Sequence, residues 1–310
     1  MKTLRAILRR NIALFFKDKG MLFTSLITPI ILLVLYATFL GNVYRDAFLS
    51  MFPAGMPLSE AMERAVEGCV GGQLFSSLLA VSCVTVAFCS NLMVVQDKIS
   101  GARADLTVSP VKPSLLAVGY YLSTALTTLL ICLTATAVGL IYVACIGWFI
   151  PFTDVLLILV DVVLLTLFGT ALSSIVSYFL SSQGQISAVG TIVSSGYGFL
   201  CGAYMPISSF PEGLQSLLSF LPGTYGTSLL RNHAMRGALD ALAAESVPVE
   251  VIDLARDAVD CNLYFFGRTV SEGVMLAVLG TTVALLMLVY IAMNTKIKKR
   301  VGSDTRKELL

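Results

Sequence analysis

Charged residues are scarce in this 310-residue chain. Asp, Glu, Lys and Arg together make up 13% of it, about half the share found in soluble domains. There is one histidine and one tryptophan, so catalysis by a cluster of imidazoles is excluded. No G-x-x-x-x-G-K-[ST] phosphate loop occurs, and neither HExxH nor a Ser–His pairing falls on the apolar segments. The seven cysteines, at positions 69, 83, 89, 132, 145, 201 and 261, form no CxxC pair or His-rich spacing, which argues against a metal site. Most lie in apolar runs and read as small packing residues. Cys69 and Cys261 fall outside those runs, either as a disulfide or as two free thiols. A cleavage signal is also missing. Lys2, Arg5, Arg9 and Arg10 precede an apolar run over 21–40, but that run is about twice a signal-peptide core and lacks an A-x-A site. It reads as a retained first span.

What the chain has instead is apolar length. Hydrophobic residues make up 56% of it, and the mean hydropathy is +0.85. Six windows, 21–40, 72–95, 115–147, 154–180, 186–205 and 273–295, are long enough to cross a hydrocarbon layer about 30 Å thick. The expected architecture is an all-α integral membrane protein with six transmembrane helices, forming a single transmembrane domain over 1–310. The third window is too long for a straight crossing. It must tilt or begin in the cytoplasm, with Gly119, Tyr120 and Tyr121 marking its entry into the interface. Of the 21 Lys and Arg residues, fifteen lie in 1–20, 96–114 and the tail after 295. The segments 41–71 and 206–272 hold six between them, together with twelve acids. The positive-inside rule then puts both termini and the 96–114 loop in the cytoplasm of a multi-pass cell-membrane protein.

Residues 1–20 are amphipathic at helical period. Leu4, Ile7, Leu8, Ile12 and Phe15 share one face, with Lys2, Arg5, Arg9 and Lys17 opposite and Asn11 intruding on the apolar side. Such a helix lies in the membrane plane. The stretch QDKISGARADLTVSPVKP, residues 96–113, is the other concentrated polar signal. A short polar helix over 96–106, weakened by Gly101, precedes a turn enforced by Ser109-Pro110 and Lys112-Pro113. It is either a solvated connector or a stiff element able to transmit a push into both adjoining spans.

Residues 96–123, QDKISGARADLTVSPVKPSLLAVGYYLS, resemble the first cytoplasmic loop of type-2 ABC exporter permeases. A second match is MPISSFPEGLQSLLSFLPGTYGTSLLR, residues 205–231, and a third is the amphipathic start followed by Pro29. Gln96-Asp97-Lys98 stands where the family more often has a Glu-Arg pair. The resemblance implies a permease that dimerises, with a second copy or a paralogue, and binds a cytoplasmic ABC ATPase that carries the ATP and Mg. No cofactor would be held by this chain, and no nucleic acid would be a partner. Segment 96–114 becomes the coupling loop, with Asp97, Lys98, Gly101, Arg103 and Asp105 as candidate ATPase-coupling residues. Residues 1–20 become the connecting helix, with Arg5, Arg9 and Phe15 as its candidates. Residues 206–272 hold a re-entrant extracellular helical hairpin with Pro211, Leu218 and Pro222 at an outer gate. Residues 296–310 form a cytoplasmic tail.

Two stripes of small, weakly polar residues suit either close helix packing or a translocation path. They are Ser76, Cys83, Ser90 and Asn91 in the second window, and Thr191, Ser194 and Ser195 in the fifth. Asp161 stands in an apolar run, where a carboxylate is costly. It lines an outward vestibule or sits at a wet outer interface. His233 shows no nearby acidic or thiol constellation in the sequence and reads as a packing residue. Residues 206–237 read as a re-entrant pair of short helices, and 238–262 as a solvated external helical segment. The functional expectation is an ATP-driven exporter subunit for an amphipathic solute such as a drug, lipid, glycan or peptide. An ion-coupled secondary transporter using Asp161 is the alternative. Without a phosphate loop, an ATP-driven role places the ATPase on another chain.

Overall fold

The computed structural model describes residues 2–53, 56–108, 111–245 and 247–307. The turn expected at Ser109-Pro110 lies outside them. Helix α1 (Lys2–Lys17) ends at Asp18, whose side chain accepts from the Met21 amide and caps α2 (Lys19–Leu35). A π-helical turn (Tyr36–Leu40) leads into α3 (Gly41–Ser50). Ser59 caps α4 (Glu60–Ile99), and Glu60 and Glu63 in its first turn complement the helix dipole. Next come α5 (Ala102–Val108), α6 (Pro113–Ile146) and α7 (Phe152–Phe179). A capping box between Ser182 and Gln185 starts α8 (Gln183–Leu200). Beyond a 3-10 turn (Ile207–Ser209) lie α9 (Glu212–Leu218), α10 (Pro222–Ala244) and α11 (Val249–Ala258). A two-stranded antiparallel hairpin, β1 (Leu263–Phe265) and β2 (Arg268–Val270), precedes α12 (Glu272–Lys307).

Helix α4 is the axis of the bundle. Its 40 residues extend about 60 Å, and it packs against α2, α6, α7, α8 and α10. Small residues make this possible. A Cβ on Gly72 would stand 2.7 Å from the Ala234 carbonyl oxygen, and one on Gly169 of α7 would stand 2.9 Å from that of Cys83. Gly68 meets Ala238 while Gly72 meets Ala234 and Met235, so α10 runs antiparallel to α4. The near end of the bundle carries α1, α5 and the end of α4. The far end carries the start of α4 together with α3, α11 and the hairpin.

Among the described residues, five helical stretches are long and apolar enough to cross a membrane: Lys19–Ser50, Glu60–Ile99, Pro113–Ile146, Phe152–Phe179 and Glu272–Asn294. The fifth expected window, 186–205, holds most of α8, whose 18 residues reach about 27 Å. Gly, Ser and Gln make it less apolar than the other five. Large side chains such as Phe23, Ile30, Leu130, Ile141 and Leu288 project outward from the bundle, as lipid-facing residues do.

The fold is all-α as expected, apart from the short hairpin at residues 263–270. A single 23-residue helix, α10, replaces the expected break after residue 237, and most of it is buried. Its Ala, Gly, Ser and Thr content allows that burial. Residues 41–71 hold α3 and the first three turns of α4. At the near end α4 continues to Ile99, and Gly101, at φ +81°, makes the turn that separates α5 from it. Cys69 and Cys261 are both free and buried, and burial pushes the Cys261 thiol up to about 12.

A Cβ at Gly237 would lie 1.8 Å from the carbonyl oxygen of Phe149, in the loop between α6 and α7. Gly237→Ala is therefore expected to destabilise the purified protein by about 1–3 kcal/mol. Gly280→Ala in α12, where a Cβ meets nothing within 4 Å, serves as the control in thermal unfolding. Equal melting temperatures for the two variants would refute this packing.

Candidate functional site

The near end is built around the Asp97 carboxylate. The Arg10 guanidinium of α1 grips both its oxygens, at 2.7 and 3.0 Å. The Tyr120 hydroxyl of α6 donates to it at 2.6 Å. This hydrogen bonding outweighs burial and holds Arg10 more firmly protonated than usual. Asn11, the residue that broke the apolar face of α1, is buried and donates to Ser123 of α6 at 3.1 Å. Ile7, Asn11 and Phe15 form the buried stripe of α1, and Gly119 lets Ile7 sit against the α6 backbone. Arg5 and Arg9 are exposed on the opposite face.

Lys98 extends the junction to α7. Its ammonium donates to the carbonyl oxygens of Ser177, Tyr178 and Leu180 at 2.6, 2.8 and 3.1 Å. A cation on the last carbonyls of a helix satisfies groups that otherwise lack partners and meets the negative end of the dipole. Arg103 of α5 reaches Asn294 of α12 at 3.3 Å. Asp97 and Lys98 thus face into the bundle, whereas Asp105 on α5 is exposed. Gly101 supplies the left-handed turn between them.

The two weakly polar stripes are separated in the structure. Ser76, Cys83, Ser90 and Asn91 are buried inside the bundle. Asn91 bonds Ser177 of α7, at 3.2 Å, and Thr124 of α6, at 3.3 Å. Thr191, Ser194 and Ser195 instead line an open groove of about 1280 Å³ between α2 and α8, opposite Thr24, Ile31 and Tyr36. Asp18 is the one Asp, Glu, Lys or Arg among the described lining residues. At the far end Pro211 precedes α9, Leu218 is its buried last residue, and Pro222 opens α10.

The far half of the bundle holds a cluster that the sequence reading missed. Asp161 is fully buried rather than at a wet interface, and its Oδ2 lies 2.6 Å from His233 Nδ1. The reading of His233 as a residue without acidic neighbours is corrected accordingly. Arg236, one turn along α10, bonds Asp154 at 2.7 Å and both oxygens of Glu272 at 2.8 and 2.7 Å. Deeper in, fully buried Arg231 pairs with Asp260 at 3.1 Å and donates to the Gly202 carbonyl. Asp260 also accepts from the Ser208 amide at 2.9 Å. The partners lie 29 to 82 residues apart in the chain, too far for spacing to reveal them. The one available signal was sign: an acid within a span and three bases on α10, each needing a counter-charge. Among the described residues, no group of His, Cys, Asp and Glu is placed to hold a metal ion.

Comparison with known families gives one match. The family described as ABC-2 type transporter matches residues 2–234, which spans α1 through most of α10. No curated protein matches the chain.

Arg10 and Tyr120 serve the same carboxylate, so their contributions are coupled. Tyr120→Phe is expected to cost about 1–2 kcal/mol of stability. In a thermal double-mutant cycle with Arg10→Gln, the two effects should deviate from additivity by about 0.5–1 kcal/mol. Strict additivity would mean that the three side chains do not act as a unit.

Proposed function

We propose that this chain, which belongs to the ABC-2 type transporter family, is the permease of an exporter that moves an amphipathic solute outward through the interface between two permeases. The chain is a multi-pass membrane protein and a transport subunit without catalysis of its own. The power comes from a separate ATPase that binds ATP and Mg on the cytoplasmic side. That side is the near end, where most of the Lys and Arg residues outside the spans collect.

One observation carries this reading: the near-end junction of Arg10, Asp97, Tyr120 and Lys98. It fastens α1, α4, α6 and α7 together directly beside α5. A load applied to α5 reaches four helices through short, charge-assisted bonds, which are the stronger hydrogen bonds. In this scheme Asp105 and the outer face of α5 meet the ATPase. Asp97 and Lys98 position that face, Gly101 sets its angle, and Arg103 ties it to α12. Arg5 and Arg9 of the connecting helix face lipid headgroups, while Phe15 anchors the helix in the core.

The groove between α2 and α8 is the surface on which a second permease completes the path. Its lining is apolar with a hydroxyl stripe, which suits a partly apolar solute that must be released. Pro211, Leu218 and Pro222 shape the re-entrant turn beneath the outer gate. Ser76, Cys83, Ser90 and Asn91 have a packing role here, since they face other helices of the same chain.

Pull-down from native membranes is expected to recover a nucleotide-binding ATPase with the intact chain, and none after deletion of Ala102–Val108. Unchanged recovery would remove the coupling assignment. In inverted vesicles, uptake of a fluorescent amphiphile should require ATP hydrolysis and persist when ion gradients are collapsed. Uptake driven by a gradient alone would favour the ion-coupled alternative.

A further inference from the structure

The His233 cluster serves neither the coupling junction nor the groove, and its charges do not balance. Asp161 and Asp154 come from α7, His233 and Arg236 from α10, and Glu272 from the first turn of α12. Asp240, one turn beyond Arg236 on α10, is exposed and adds a further acid nearby. The charged groups acting on the two aspartates are Arg236, His233, Glu272 and Asp240. The other helices packed on α7 and α10, which are α4, α6 and α11, contribute none of them. Three carboxylates therefore share one permanent cation, Arg236. Asp161 Oδ1 and Asp154 Oδ2 are buried with no hydrogen-bond partner among the described residues. A surplus of negative charge in a low-dielectric interior is costly and calls for a bound cation. No described group is placed for a metal.

We propose that this cluster is a proton-binding site, reached from the outer side, that fastens α10 to α7 and α12 when occupied. In the empty state the imidazole donates its Nδ1 hydrogen to Asp161. Its Nε2 lone pair then faces the Glu272 carboxylate, 3.6 Å away. Glu272 is 40% exposed while His233 and Asp161 are 1% and 0% exposed, so the carboxylate is the port and the imidazole the seat. A proton delivered by hydronium adds to Nε2 and leaves water behind. The imidazolium then donates at both nitrogens, to Asp161 of α7 and to Glu272 of α12. The surplus negative charge falls by one unit, and an unfavourable lone-pair contact becomes an ion pair. Because α10 emerges directly from the turn after α9, proton occupancy sets how firmly the α9–α10 hairpin is held. Acid outside should lock the hairpin and slow turnover. Alkali outside should release it.

The chain has a single histidine, so isotope-labelled histidine gives one imidazole signal in the reconstituted permease. That signal is compared in acidic and alkaline buffer, at about pH 5 and about pH 8, and is expected to change from a ring protonated at one nitrogen to a ring protonated at both. The change should be smaller in Glu272→Gln, which removes the acceptor facing Nε2. The second measurement is ATP turnover by the permease with its ATPase in proteoliposomes, with the ATP side held at constant pH and the lumen varied. Turnover should fall as the lumen is acidified, and His233→Gln should flatten the profile. A silent imidazole across this range, or wild-type turnover indifferent to lumen pH, overturns the proposal. Should His233→Gln fail to fold, the wild-type titration and lumen profile still decide. The titration requires no ATPase, so its failure is separable from failure of the exporter reading.

Discussion

Helix α4 is enclosed by neighbouring helices over most of its length, and the rest of the molecule is arranged to cover it. Enclosure on every side requires neighbours to approach closely, which is why glycines recur at the contacts: Gly68 and Gly72 on α4, Gly139 on α6 and Gly169 on α7. Where α4 carries polar groups, they must find partners within the bundle, because lipid offers none. Asn91 finds Ser177 and Thr124, and Asp97 finds Arg10 and Tyr120. Shape and hydrogen bonding therefore fix the same arrangement of α6, α7 and α10 around one rod.

The ionic pairs follow the same logic at the two ends. At the near end the bonds run from α4 outward to α1, α6 and α7, beside the water-exposed α5. At the far half the buried ones join α7, α10 and α12, an exposed pair links Arg45 of α3 to Glu67 of α4, and Arg231 and Asp260 hold the Gly202–Ser208 turn to the base of the hairpin. Neither set is a free-standing source of stability, since desolvation offsets much of the attraction between buried charges. What they supply is registry. Each carboxylate is met by a particular base on a particular turn, and a slip of one residue leaves both uncompensated.

Apolar length made most of this fold legible. The windows at 21–40, 115–147, 154–180 and 273–295 each lie within or nearly match a helical stretch long and apolar enough to cross a membrane, and the second window lies inside α4. The amphipathic start was also readable, including the intrusion of Asn11, although its partner on α6 was not. The flanks of the windows escaped notice, because α4 begins twelve residues before the hydropathy rises and α10 is too rich in Ala, Gly and Ser to look like a buried helix. The His233 cluster was invisible for a different reason. Its members are unremarkable one at a time, and only folding brings residues 154, 161, 233, 236 and 272 together. Hydropathy averages over neighbours in sequence, whereas pairing of buried charge is decided by neighbours in space.

The wide turn at Tyr36–Leu40 has a mechanical consequence. Hydrogen bonds spanning five residues are looser than the usual four-residue kind, so bending strain collects there before it enters the tighter coils on either side. The α2 stretch before that turn, which borders the groove, can then tilt while Gly41–Ser50 stays seated against α4. A joint of this sort lets the α2 wall of the groove swing without dragging α3 along with it.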